Sequence, residues 1–215
     1  MSAPLPGALA EAYTARWSAL SRRWADRPGT TLGTLGPAGT SSELAARSLA
    51  AEHGLSVELF TTFDDVLDHL LGRKVEFALV PSAYQGLTRF HWHRDLRLRA
   101  FFPQATPEYG IASGDGCFPA PGGGPLTVAA MWEVRRIYAE VVPLRLRDRE
   151  VTWVDAASTQ QAAEVVARGG AQLAVTNAPG VRAHGLRWLA RRPGAEIIWT
   201  LFGHASEETG HTSAA

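Results

Sequence analysis

Cysteine is nearly absent from this chain, Cys117 being the only one in 215 residues. No internal disulfide can form and no CxxC pair exists to seat a metal. Nothing therefore points to an oxidising compartment, and a cytoplasmic setting is expected. Charge of one sign is missing as well: 21 basic and 21 acidic side chains give a formal net charge of +0. The basic footprint of a nucleic-acid binder is thus lacking, and nucleic acid is not expected as a partner. Long apolar runs are missing too, none approaching the ~20 residues that cross a bilayer. Glu11, Arg16, Arg22 and Arg23 stand where a secretory leader would need its apolar stretch, so no membrane partner is expected. Neither a dinucleotide GxGxxG nor a phosphate-loop Gly-Lys-Thr occurs, and no metal-ligating cluster is visible, so the chain is expected to use no cofactor and no metal.

With 46% hydrophobic and 20% charged residues, the chain can bury one sizeable core or two modest ones. Leu9, Tyr13, Trp17, Leu20 and Trp24 follow the spacing of an apolar helical stripe over residues 8–25, closed by Pro28-Gly29. That stripe must be covered by the chain's own body or, in a homodimer, by a second subunit. Strands and helices then alternate. Strands are expected at 57–60, 77–80, 96–102, 126–130, 151–154, 173–176 and 196–201, and helices at 63–71, 132–142, 159–168 and near 179–184. The Gly/Pro-rich stretch 114–125 reads as a surface loop. Such alternation argues for an α/β fold built as two α/β lobes with a cleft between them, ligands lying at the carboxyl ends of the strands. The expected division is a helical extension at 1–29, one lobe from 30–105 plus 194–203, a second at 106–193, and a disordered tail at 204–215.

One segment carries most of the chemistry. Thr34-Leu-Gly-Pro-Ala-Gly-Thr-Ser-Ser-Glu43 joins a short apolar strand to an Ala-rich helix through a turn crowded with hydroxyls. Unpaired N–H groups and the partial positive charge of a helix start suit a carboxylate or phosphate, although Thr40 or Ser41 acting only as an N-cap fits the same pattern. The second round repeats the arrangement in Asp155-Ala-Ala-Ser158-Thr159, and Thr176-Asn177 closes the next strand. Two anion sites would suit a dianion. His91-Trp92-His93 places two imidazoles at alternate positions, but no third ligand stands at useful spacing. Trp132, Trp153, Trp188 and Trp199 are expected in or beside core elements.

The order of these landmarks, with Val80-Pro81 followed by Gly86 and a terminal Thr200-Leu201-Phe202, resembles the catalytic domains of prephenate dehydratases over roughly residues 31–203. The resemblance implies two lobes of the periplasmic-binding-protein type II kind and a prephenate-like ligand. The departures are informative. Where dehydratases carry Pro-Ile-Glu-Asn-Ser this chain has Pro81-Ser82-Ala83-Tyr84-Gln85, Thr-Arg-Phe has become Thr200-Leu201-Phe202, and Ala129-Ala130-Met131 replaces Ser-His-Pro. The chain also ends where a phenylalanine-sensing domain usually begins, so feedback by that route is not expected. With Phe90, Asp95-Leu96, Thr106-Pro107-Glu-Tyr109-Gly110 and Trp199-Thr-Leu-Phe-Gly203, the pattern is similar to the non-aromatising prephenate decarboxylases of bacilysin-type pathways.

That likeness implies a carboxy-lyase giving a dihydro-4-hydroxyphenylpyruvate, in secondary metabolism leading to antibiotics or dihydrotyrosine-derived products. A dehydratase without a regulatory domain and a non-catalytic binder of small dicarboxylates are the alternatives. Thr40, Ser41, Ser42, Ser158 and Thr159 are then expected to hold substrate carboxylate and carbonyl oxygens. Tyr84, Thr176, Asn177 and Thr200 would fix the ring and its hydroxyl, and Arg89 or Arg94 would replace the missing arginine as a carboxylate partner. Thr200, Tyr84 and His91 are the candidate catalytic residues. The proton donor stays open among Tyr84, His91, water and the substrate's own hydroxyl, and the choice of reaction is assigned to Ser82-Ala83-Tyr84 and Leu201.

Overall fold

The computed structural model describes residues 6–120 and 124–205. In chain order its elements begin with α1 (Pro6–Asp26), β1 (Thr31–Leu35), α2 (Ser41–His53), β2 (Ser56–Phe60), α3 (Phe63–Leu71), β3 (Phe77–Pro81), α4 (Leu87–His91) and β4 (Leu96–Ala105). They continue with β5 (Tyr109–Ser113), β6 (Leu126–Ala130), a 3-10 turn (Trp132–Val134), α5 (Arg135–Val141), α6 (Leu144–Arg147), β7 (Val151–Asp155) and α7 (Thr159–Ala167). The last are β8 (Leu173–Asn177), α8 (Ala178–Ala183), β9 (Arg187–Arg192) and β10 (Glu196–His204). The chain forms two compact units, one of Met1–Thr34, Ala45–Pro103 and Ile198–Ala215, the other of Leu35–Leu44 and Gln104–Ile197. Each is built on a mixed five-stranded sheet, in the orders β2-β1-β3-β10-β4 and β7-β6-β8-β5-β9. The fold class is therefore the expected two-unit α/β.

In the first unit Phe77-Ala-Leu-Val80 is wholly buried, as a continuous apolar run in mid-sheet must be. β3 runs parallel to β1 and antiparallel to β10, with Thr200 opposite Val80 and Leu201 opposite Leu79. α1 lays its aromatic stripe on this unit. The Tyr13 hydroxyl donates to the Phe101 carbonyl at 2.6 Å and the Trp17 indole N–H to the same oxygen at 3.3 Å. Trp24 is buried against Phe77, ring centroids 5.7 Å apart. The stripe is thus covered by the chain itself, save Leu9, which stays 67% exposed.

In the second unit β6 pairs in parallel with β7 and β8, while β5 runs antiparallel to β8 and β9. Ile111, Leu126, Val128 and Val175 face one apolar cluster, and Ala112, Ala129 and Ala174, alternating with them, face the other. β9 is absent from the sequence-based expectations because Arg187-Trp-Leu-Ala-Arg-Arg192 has no apolar alternation. It forms as an edge strand, where one side stays wet and arginines are tolerated, and Arg191 and Arg192 pair with Glu108 and Glu140.

Two expectations need correction. His204, placed in a polar tail, closes β10 instead and is buried, its Nε2 2.6 Å from the Leu70 carbonyl oxygen; residues 206–215 lie outside the described ones. Trp132, placed with the core, is 60% exposed. Its ring stacks on the Arg135 guanidinium, which lies 5.0 Å from Trp132 and 4.9 Å from Trp153, a cation–π contact that needs no burial. Among the described residues no helix is long and apolar enough to cross a membrane.

Candidate active site

The hydroxyl-rich turn and the start of α2, residues 35–44, group with the second unit. Thr40 is the N-cap of α2: its Oγ accepts from the Glu43 N–H at 3.1 Å and donates to the Leu35 carbonyl at 2.8 Å. The one proton of that buried hydroxyl is committed to the turn. Glu43 in turn accepts from the Gly39 N–H at 3.2 Å. The N–H groups of Ser41 and Ser42 find no acceptor among the described residues. Unpaired N–H groups at a helix start are of the kind that suits an anion.

The carboxyl ends of β7 and β8 bring a second helix start to the same turn. Ser158 caps α7 by accepting from the Gln161 N–H at 3.1 Å, and the N–H groups of Thr159 and Gln160 again have no acceptor among the described residues. The Gly39 carbonyl receives the Gln160 amide at 2.8 Å and the Asn177 amide at 2.9 Å. Asn177 also caps α8 through the Gly180 N–H at 2.9 Å, and Thr176 donates to the Thr159 carbonyl at 2.7 Å. Asn177 and Thr176 are fully buried, so they hold the two helix starts in register.

Tyr109 opens β5 directly opposite Asn177. Its hydroxyl lies 2.5 Å from Ser41 Oγ. Burial raises its phenol above the usual tyrosine range, and the Ser41 bond pulls the other way. The phenol is therefore neutral at ordinary pH. Neither Tyr109 nor Gln160 was singled out from the sequence for a role. The partners that give them meaning are 68 and 121 residues away along the chain.

The other expected site residues belong to the first unit. Thr200, nearly buried, donates its hydroxyl to the Val80 carbonyl at 2.6 Å. The Tyr84 ring packs on Phe63 with centroids 4.5 Å apart and lies over Gly86, where an added Cβ would fall 2.6 Å from the ring. His91 ends α4 as an exposed residue with its ring 5.0 Å from that of Phe202. Arg89 is exposed and paired with Asp64, and Arg94 is 92% exposed beside Asp95. Ala83 is exposed and Leu201 fully buried. Among the described residues no three His, Cys, Asp or Glu side chains gather as a metal site would require.

No family model matches the chain. It is 30% identical over 183 residues to a prephenate decarboxylase of Bacillus subtilis, covering 80% of this chain and 86% of that protein. It is 29% identical over 187 residues to a prephenate decarboxylase of Planktothrix agardhii, with the same coverages. Among solved structures it is similar to a prephenate dehydratase from Arthrobacter aurescens, with a TM-score of 0.58 at 18% identity. That match covers 81% of this chain but only 60% of the dehydratase. The BvgS periplasmic VFT2 domain of Bordetella pertussis matches with a TM-score of 0.54 at 16% identity, covering 87% of this chain and 86% of that one. The structural likenesses establish the fold alone.

Proposed function

The chain belongs to the prephenate decarboxylase family, and from that premise we propose that it releases CO2 from prephenate while the ring hydroxyl stays in place. The product is a dihydro-4-hydroxyphenylpyruvate, and the enzyme is a carboxy-lyase. The observation that carries this reading is the likeness to curated prephenate decarboxylases over most of the chain.

In the reaction the bond from the ring to its carboxylate breaks, the electron pair enters the ring diene, and a proton is added to a ring carbon. The task of the protein is to align that bond with the π-system and to keep the leaving carboxylate poorly solvated. The N–H groups of Ser41, Ser42, Thr159 and Gln160, with the Ser42 hydroxyl, are the proposed holders of substrate oxygens. Thr40, Thr176 and Asn177 act in this reading by fixing those groups, since their side chains donate to protein carbonyls, while the Ser158 hydroxyl, which accepts from the Gln161 N–H, keeps its proton for a substrate oxygen. Loss of the ring hydroxyl, by contrast, calls for an acid at the departing oxygen. Thr200 has its proton committed to the Val80 carbonyl, so it can accept a hydrogen bond from a hydroxyl but offers it no proton. The proton for carbon stays open among Tyr84, His91, water and the substrate's own hydroxyl. A cytoplasmic setting and a place in the biosynthesis of antibiotics or other dihydrotyrosine-derived products complete the reading. The exposed, unpaired Cys117 supports the first of these.

The test is incubation of the protein with prephenate, following CO2 release and the ultraviolet spectrum of the product. CO2 with a non-aromatic keto acid is expected. Phenylpyruvate would make the protein a dehydratase, and no turnover would leave it a binder of such dianions.

A further inference from the structure

Tyr109 reaches the start of α2 from a strand, not from a loop. Its place in β5 is fixed on both sides, opposite Asn177 in β8 and opposite Arg192 in β9. Asn177 also donates, beside Gln160, to the Gly39 carbonyl, so the phenol and the hydroxyl-rich turn share a fixed neighbour. One hydrogen bond joins the two hydroxyls, with either oxygen able to donate, and the pair owns two protons. The second O–H is therefore free for another acceptor. A phenol is a stronger donor than an alkyl hydroxyl, and it becomes stronger still when its oxygen accepts a bond. The favoured arrangement has Ser41 donating to the phenol oxygen and the phenol donating outward.

We infer that Tyr109 is a substrate-binding residue, its O–H donating to a carboxylate of prephenate held at the N–H groups of Ser41 and Ser42, with Ser41 as the residue that orients it. This deepens the function proposed above and rests on it. A pin that merely fastens β5 to α2 would give the same hydrogen bond, so the experiment must separate binding from fastening.

The experiment compares the wild-type protein with Tyr109→Phe, Ser41→Ala and the double variant, measuring KM and kcat for prephenate together with Tm. Loss of one charge-assisted donor should raise KM about 10- to 100-fold in Tyr109→Phe, with kcat changed less than about threefold and Tm nearly unchanged. Ser41→Ala, acting through the phenol, should raise KM by a smaller factor of roughly three to ten. The double variant should then be no worse than Tyr109→Phe by more than about threefold. A wild-type KM in Tyr109→Phe overturns the inference while leaving the decarboxylase reading intact. A lowered Tm with unchanged KM makes the contact a pin and overturns it equally. Should Tyr109→Phe fail to fold, Ser41→Ala carries the test, and an unaltered KM there is decisive against it. If the wild-type protein does not turn prephenate over, the functional reading falls and the inference falls with it.

Discussion

Gly39 has no room for a side chain. Its φ of +87° lies where L-residues are strained, and an added Cβ would sit 2.5 Å from Gln160 Nε2. Gly39→Ala should therefore cost about 1–3 kcal/mol through backbone strain alone, read as a lower urea midpoint. It should also cut prephenate turnover, because the displaced turn carries Ser41 and Ser42. Two tyrosines make stability fall in alkali. Burial raises both Tyr109 and Tyr138, so above the usual tyrosine pKa of about 10 the unfolded chain loses protons that the native one keeps. The stabilisation they lend is whole below that pH and is lost as pH rises through the raised native values. Unfolding curves at pH 9 and pH 11 should show a steeper loss for wild type than for Tyr138→Phe. That variant also removes a buried hydroxyl with no hydrogen-bond partner among the described residues.

α1 is held by its aromatic face. Trp24 is buried, but its indole N–H has no acceptor among the described residues, so what it contributes is apolar packing and not a hydrogen bond. Trp24→Ala should cost about 3–5 kcal/mol by opening a cavity. Trp24→Phe should cost far less, since it keeps most of the ring and drops an unsatisfied donor. Equal losses by chemical denaturation would show that the N–H matters after all. The helix was legible in the sequence because its stripe has the 3.6-residue period and ends at Pro28-Gly29. Whether the stripe faced its own chain was not, since Phe77, Phe101 and Phe102 lie far along the sequence. β9 shows the converse. Its strand character comes from pairing with β5, and no local pattern announces it.

At the scale of the whole molecule, prephenate brings its own electron acceptor, the ring diene. Activity on prephenate should therefore survive exhaustive dialysis against a chelator. Loss of turnover on dialysis, restored by an added metal ion, would show the chemistry to lie elsewhere. The departures from the dehydratase pattern also separate at this scale. Ala83 is exposed and Tyr84 stands on Phe63, whereas Leu201 is buried in β10. An arginine at Leu201 would bring an unpaired charge into the core, so reaction choice is better tested at Ala83 and Tyr84.

The sequence by itself determined the alternation of elements, the two-unit α/β class, the glycine-bearing, hydroxyl-rich turn and the second helix start at Ser158. Each of these is written in residues adjacent along the chain, where period, caps and turn chemistry act. Only the tertiary structure decided which hydroxyls are free. Thr40, Thr176 and Asn177 spend their polar groups on neighbours, while the N–H groups of Ser41, Ser42, Thr159 and Gln160 are left over. It also decided that Tyr109 and Gln160 meet the turn. Hydrogen-bond capacity is used up by whichever partner folding brings within reach, and that partner has no fixed distance along the sequence.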